Sequence, residues 1–308
     1  MSTKTKEVPV AIAPIKHSDE TLAQLKQFGL DFIIAKEPQN VVYMGRPIKS
    51  NYVNLINTKT DEVIHVAKSG YHVSQNADIL EMVNRAASSF KNIEVVFAGN
   101  IQNGKKVYIQ LKVQGDAFIG DDVVTKYITI IDSNDGSTQL SVGISDFTMS
   151  CANQYFQFYR AGQSKFKHTA SLSLKIRELK PLIEAALSRT MRMEELYKDF
   201  QSTPVTRELA KNMVDTLLGY DCDGEDLTNR ATANIKKLWE NIDHELEDKG
   251  MNIWGLFSGV TRWTTHDKQA PKRANGRVEA IISGDSYKKN QIALTFAMNL
   301  LPVEKQLA

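Results

Sequence analysis

An α+β fold, built of antiparallel β-hairpins with packed helices and followed by a mostly helical C-terminal half, is what three features of this 308-residue sequence predict. Alternating apolar runs flank Gln102-Asn103-Gly104 and again Asn134-Asp135-Gly136, and Asn-Gly or Asp-Gly between such runs marks a tight hairpin turn. An amphipathic helix directly precedes them. After residue 171 the apolar spacing changes to the helical period and stays there. Strands gathered in one half and helices in the other give a sheet with helices packed on it rather than alternating βαβ units.

The elements follow in chain order. Residues 1–60 read as an N-terminal arm with one short helix over 18–28, where Ser18 can cap, Asp19 and Glu20 occupy the first turn and Gly29 ends it. The next stretch, IIAKEPQNVVYMGRPIKSNYVNLINT, carries regularly spaced prolines and short apolar patches. It predicts an extended arm with weak strands, packed either on its own chain or on a neighbouring subunit. Residues 61–180 form the hairpin core: a short strand and turn, a helix over 76–90, then the two hairpins. Residues 181–308 form a helical region with a Trp-rich loop. Apolar spacing predicts helices over 171–200 (kinked or restarted at Pro181), 206–218, 226–248 and 286–301, with 251–277 as loop.

Composition narrows the function classes. With 42% hydrophobic and 24% charged residues the chain is globular, and a net charge of +2 gives no global argument for a polyanionic partner. Two distant cysteines, Cys151 and Cys222, predict reduced thiols in the cytoplasm rather than a disulfide framework. No apolar run is long enough to span a membrane, and the N-terminus lacks a signal-peptide core. The six histidines never fall in HExxH, HxH or Cys/His spacing, and neither GxSxG nor a Walker A loop occurs, so neither a metal nor a cofactor is expected. The segment 221–226 (DCDGED) looks superficially like a calcium loop but lacks the closing Glu; a polar turn that supplies an Asp cap to the next helix is the simpler reading.

Local charge is more informative. Between Asp146 and Glu178 run 31 residues without a carboxylate, in which Arg160, Lys165, Lys167, Lys175, Arg177 and His168 are interleaved with six aromatics. Cations for phosphates and rings for unstacked bases are what single-stranded nucleic acid requires. The strand beginning at Lys106 places Lys106, Tyr108, Gln110 and Lys112 on one face by alternation, either a basic aromatic platform or a plain solvated face. From Met251 to Arg277, Asp267 is the single carboxylate against Arg262, Lys268, Lys272, Arg273 and Arg277, with Trp254, Phe257 and Trp263 supplying rings that either contact a ligand or plug the core.

The order of these segments resembles the phage/plasmid-like family, a domain of unknown function carried by phages, plasmids and prophages. The resemblance covers roughly residues 60–300 and rests on Asn134-Asp135-Gly136-Ser137, Cys151-Ala152-Asn153, His168-Thr169 and the run from Trp254 to His266. Ala170 departs from the glycine often found after the His-Thr pair. Hairpins followed by a long helix also resemble, at the level of fold alone, the core of single-strand annealing recombinases. The two resemblances imply mobile-element DNA in a bacterial host cell, and a homo-oligomer, a ring or a filament.

The expectation is therefore a non-catalytic, cytoplasmic protein that binds and anneals single-stranded DNA in replication and recombination. Its candidate contacts are Lys106, Tyr108 and Lys112; Tyr155, Tyr159, Arg160, Lys165, Lys167 and His168; and Arg262, Lys272 and Arg273. Two alternatives stand beside it: a metal-dependent nuclease using Asp132 or Asp135, and an interaction protein that binds a host factor.

Overall fold

The computed structural model describes residues 14–150, 153–224, 226–273 and 275–302, and of residues 147–165 the backbone alone. The α+β expectation holds: two antiparallel sheets fill the N-terminal half and helices the C-terminal half. Helix α1 (Asp19–Gln27) is capped as expected, with the Ser18 hydroxyl accepting from the Thr21 N–H. Strands β1 (Ile34–Tyr43), β2 (Arg46–Asn57) and β3 (Glu62–Lys68) form a three-stranded sheet in that order. The sequence showed only weak strands here. Met44-Gly45 turns the hairpin with φ of +47° and +73°, the double left-handed conformation that matches strand twist.

Helix α2 (Asn76–Ala87) lies over the second sheet, whose strands run in simple order: β4 (Ile93–Ile101), β5 (Lys106–Ile119), β6 (Asp122–Ser133), β7 (Leu140–Ser150) and β8 (Asn153–Phe166). Both Gly-containing turns fall where expected, with Gln102, Asn103 and Gly104 all at positive φ. The acid-free segment takes in the end of β7, all of β8 and, beyond it, residues 172–176, a short helix. In register, Arg160 pairs with Gly143 and Lys165 with Ser141, while Tyr155 pairs with Thr148 and Tyr159 with Ile144.

The helical half comprises α3 (Leu172–Ile176), α4 (Leu179–Ser202), α5 (Arg207–Leu218), α6 (Asn229–Lys249), α7 (Ile253–Arg262), a π-helical turn (Trp263–Asp267), α8 (Gly276–Ile282) and α9 (Asp285–Asn299). Pro181 sits in the first turn of α4, where a missing N–H costs little, so the helix restarts there. The Thr228 hydroxyl, not an Asp of the preceding turn, caps α6 by accepting from the Ala231 N–H.

The expected loop over 251–277 is corrected. Its first part is α7 and the π-helical turn, the most deeply buried helical stretch of the chain's C-terminal half. Two glycines explain how. A Cβ on Gly259 would lie 2.5 Å from Ile242 Cα, and one on Gly255 2.7 Å from Gly250 O, so α7 approaches α6 closer than any side chain allows. Glycine-rich, apolar sequence that reads as loop is here a helix whose glycines are packing surfaces. Trp254, Phe257 and Trp263 are fully buried, Trp254 against Tyr197 and Phe257 against Tyr197 and Phe200 of α4, so these rings hold the core. No helix among the described residues is long and apolar enough to cross a membrane.

Candidate functional site

The two acid-poor stretches meet in space. Helix α7, the π-helical turn and α8 all pack against β8, the strand of the acid-free segment. The polypeptide between the π-helical turn and α8 folds tightly: a Cβ on Gly276 would sit 2.2 Å from Pro271 O, and Asn275 takes a left-handed φ of +56°. Asn275 Nδ2 donates to Asn100 O at 2.8 Å, which pins this segment to β4.

Glu279 of α8 is the hub. Lys106 Nζ donates to its Oε1 at 2.8 Å, Arg273 donates to Oε2 from Nε at 3.0 Å and Nη2 at 2.6 Å, and the Gln102 amide donates to both oxygens. Burial opposes its charge, yet these donors hold its carboxyl down to about 2. Lys106 is consequently buried under α8 and paired, and its Nζ also reaches Ser283 Oγ at 3.3 Å. Tyr108 is buried beside it, packed with Ile101, Ile131 and Ile282, and burial raises its hydroxyl pKa. The strand face expected as an open platform is thus covered over its first half by α8, a long-range return that alternation along β5 cannot show. Lys112, further along, stays half-buried without a carboxylate partner among the described residues.

Around this hub two adjoining hollows of about 480 and 560 Å³ share the segment 269–273. Arg230, Lys268, Lys272, Arg273 and Arg277 line them, against Glu279 and Asp285. Both acids are already matched: Lys268 Nζ lies 2.5 Å from Asp285, and Glu279 binds Lys106 and Arg273. Arg230 donates to Gln269 Oε1 at 3.4 Å and Arg277 to the Thr265 and Lys268 carbonyls, so neither meets a carboxylate there. Lys272 is exposed with no ion pair among the described residues. The hollow therefore carries a surplus of positive charge concentrated on guanidinium and ammonium groups, the donors that suit phosphate oxygens. Arg230, Lys268 and Arg277 were not among the residues favoured from sequence. Arg230 lies on α6, far from either acid-poor stretch, and only the fold brings it in.

The remaining candidates lie elsewhere. Arg262 reaches into a buried network in which its Nη1 donates to Glu245 at 3.2 Å, Lys249 Nζ lies 2.6 Å from Asp122 and 3.4 Å from Glu245, and Trp254 Nε1 donates to Asp122 at 2.6 Å. Its head is committed to that network. His168 is also enclosed: Nε2 lies 2.8 Å from Asp132, Nδ1 donates to the His72 carbonyl at 3.0 Å, and its ring stacks on Tyr71 at 4.8 Å. Burial disfavours the imidazolium, but the Asp132 carboxylate and the His72 carbonyl outweigh that and raise the His168 pKa. Asp132 also accepts from Ser74 Oγ. With the carboxylate in the middle, Ser74, Asp132 and His168 do not form a nucleophile–base–acid relay; they clasp the end of β8 to the β3–α2 connection. Lys167 is exposed at the mouth of this clasp. The side chains of Tyr155, Tyr159, Arg160 and Lys165 lie outside the described residues.

Asp135, the other acid of the nuclease alternative, accepts the Ser137 N–H at 2.9 Å, a turn role. Asp215, Asp221 and Cys222 approach one another closely enough to share an ion, but Lys211 Nζ lies 2.8 Å from both carboxylates and supplies their positive charge.

The fold and this surface define an α+β protein with a cation-lined hollow where its C-terminal helices return over the larger sheet. The model of the family described as Domain of unknown function (DUF932) matches residues 63–291, and the chain belongs to that family. The matched span contains the larger sheet and the hollow but not the β1–β2 hairpin. No curated protein and no solved structure matches the chain.

Proposed function

We propose that this protein binds single-stranded DNA non-covalently on the cation-lined hollow, and that it protects or anneals strands during replication and recombination of a mobile element. The observation that carries the reading is the surplus of guanidinium and ammonium groups around segment 269–273, where Arg230, Arg277 and Lys272 make no ion pair among the described residues. Phosphate contacts supply most of the affinity in such complexes and tolerate any sequence. The acid-free strand β8, against which α8 packs, would extend the same track. The setting in phages or plasmids and the likeness to annealing recombinases rest on the resemblance of the sequence segments.

The test is a titration of fluorescent single-stranded DNA with the full chain across a salt series. With three or four phosphates neutralised, the slope of log affinity against log salt should be roughly −2 to −3. Arg230→Glu with Lys272→Glu should weaken binding about 10-fold or more at low salt, on the order of 1 kcal/mol per lost phosphate contact. Magnesium-dependent loss of the DNA, abolished in Asp132→Asn, would instead support the nuclease.

A further inference from the structure

Glu279 of α8 is held the way proteins hold a phosphate. Its carboxylate accepts from the Lys106 ammonium at 2.8 Å, from Arg273 Nε and Nη2 at 3.0 and 2.6 Å, and from the Gln102 amide at 3.0 Å to each oxygen. A guanidinium fork, an ammonium and an amide converging on one oxyanion are the donor set that recognises phosphate. The set also carries more positive charge than Glu279 carries negative, because two cations pair with a single carboxylate. A salt bridge that merely fastened α8 to the sheet would need one.

The cradle lies on the wall of the cation-lined hollow, where Glu279 and Arg273 stand beside Arg230, Lys268 and Lys272. Arg273 keeps 48% of its side chain exposed, whereas Lys106 keeps 11% and lies behind the carboxylate. The element that bears Glu279 is lightly held. Helix α8 has seven residues, too few to be stable without tertiary packing. Its apolar hold on the sheet is the small cluster of Ile282 and Val278 with Ile101, Tyr108 and Ile131. Next to that cluster an open cleft of about 140 Å³ separates Val278 and Ile281 from Phe97 and Gln110, so the helix packs incompletely.

We propose that Lys106, Arg273 and Gln102 form a phosphate site that Glu279 occupies in cis, and that α8 is a lid displaced when a phosphate takes the place of the Glu279 carboxylate. The proposal deepens the strand-binding reading and rests on it for the ligand's identity, a backbone phosphate of single-stranded DNA. The site itself requires only a phosphate. An incoming phosphate meets the exposed Arg273 first and gains Lys106 once Glu279 gives way. Displacement would also uncover Tyr108, a ring beside the phosphate contact on which a base could stack.

Glu279→Gln keeps the size of the side chain and an acceptor for Arg273 but drops the charge. It should bind fluorescent single-stranded DNA about 5-fold or more tighter than wild type, with a salt slope steeper by roughly one unit as two cations become free. Loss of any negative charge from a basic surface tightens binding somewhat, so a cycle with Lys106→Gln decides the matter. In the wild type Lys106 is already engaged, and Lys106→Gln should shift affinity by less than about 2-fold; in Glu279→Gln it should remove most of the gain. DNA bound no tighter by Glu279→Gln than by wild type, or equal effects of Lys106→Gln in both backgrounds, would overturn the proposal and leave the hub as a fastening alone. A second measurement uses the wild type with tripolyphosphate, a probe without bases, and so holds even where Glu279→Gln fails to fold. Amide hydrogen exchange over 279–283 should quicken when tripolyphosphate is added while that of β5 stays unchanged. Unchanged or slower exchange over 279–283 would overturn the lid. Quickened exchange with no DNA bound by either chain keeps the phosphate site and removes the strand reading, whereas DNA bound by the wild type with no gain in Glu279→Gln does the reverse.

Discussion

Asp146 shows how a single buried charge shapes this molecule. It lies on β7, accepts from the Tyr197 hydroxyl at 2.6 Å and is wholly enclosed, and burial outweighs Tyr197 and Lys126 to push its carboxyl up to about 6. A folded value above the unfolded one near 3.8 means that folding takes up a proton. The cost is absent below about pH 4 and complete above about pH 6, where it amounts to roughly 3 kcal/mol. Asp146→Asn keeps an acceptor for Tyr197 and should raise the melting temperature at pH 7.5 while giving no gain at pH 4. The His168–Asp132 pair works in the opposite sense. Because the folded His168 pKa is raised, its contribution is full below the ordinary histidine value of about 6.5 and fades as pH climbs through the folded value. His168→Gln leaves the Asp132 charge buried without its partner and should cost about 3 kcal/mol near pH 6 and less at pH 9, as read by chemical denaturation. Neither role was visible in the sequence, where His168 stood out for its basic neighbours. Its enclosing partners, Tyr71, His72 and Asp132, come from two other segments.

Among the elements, the α6–α7 pair carries the sharpest constraint. Gly259→Val would drive a side chain into the Ile242 backbone and should destabilise the chain by about 3 kcal/mol or prevent folding, whereas an exposed change of the same size, such as Ser188→Val on α4, should be nearly neutral. The capped and alternating elements were legible from sequence: Ser18 for α1, the helical apolar spacing over 206–218 for α5, and the Gly104 and Gly136 turns for the hairpins. Each is a local signal that one stretch of chain carries by itself. Helix α7 was not legible, because glycines that break helices in water serve here to let two helices touch. The β1–β2 hairpin was hidden for a related reason. Pro38 and Pro47 are poor strand residues in a sheet interior, but on an edge or an exposed arm the missing N–H is harmless.

At the scale of the whole molecule, the candidate surface depends on a chain return that no local pattern encodes. Lys106 was singled out in one stretch and Lys272 and Arg273 in another; the fold joins Lys106 and Arg273 at Glu279 and adds Arg230 and Arg277 to the hollows around it. The same return hides Tyr108 and places both core tryptophans out of reach of a ligand, so binding there would rest on phosphate contacts more than on stacked bases. The most direct test is the salt series with single-stranded DNA, run on the wild type and on Arg230→Glu/Lys272→Glu. Strand binding in the hollow should show a salt-dependent affinity that the double substitution lowers about 10-fold or more and whose slope it makes shallower by roughly one to two units. Wild-type binding that is absent or indifferent to salt, or a double variant that binds as tightly with the same slope, would contradict it.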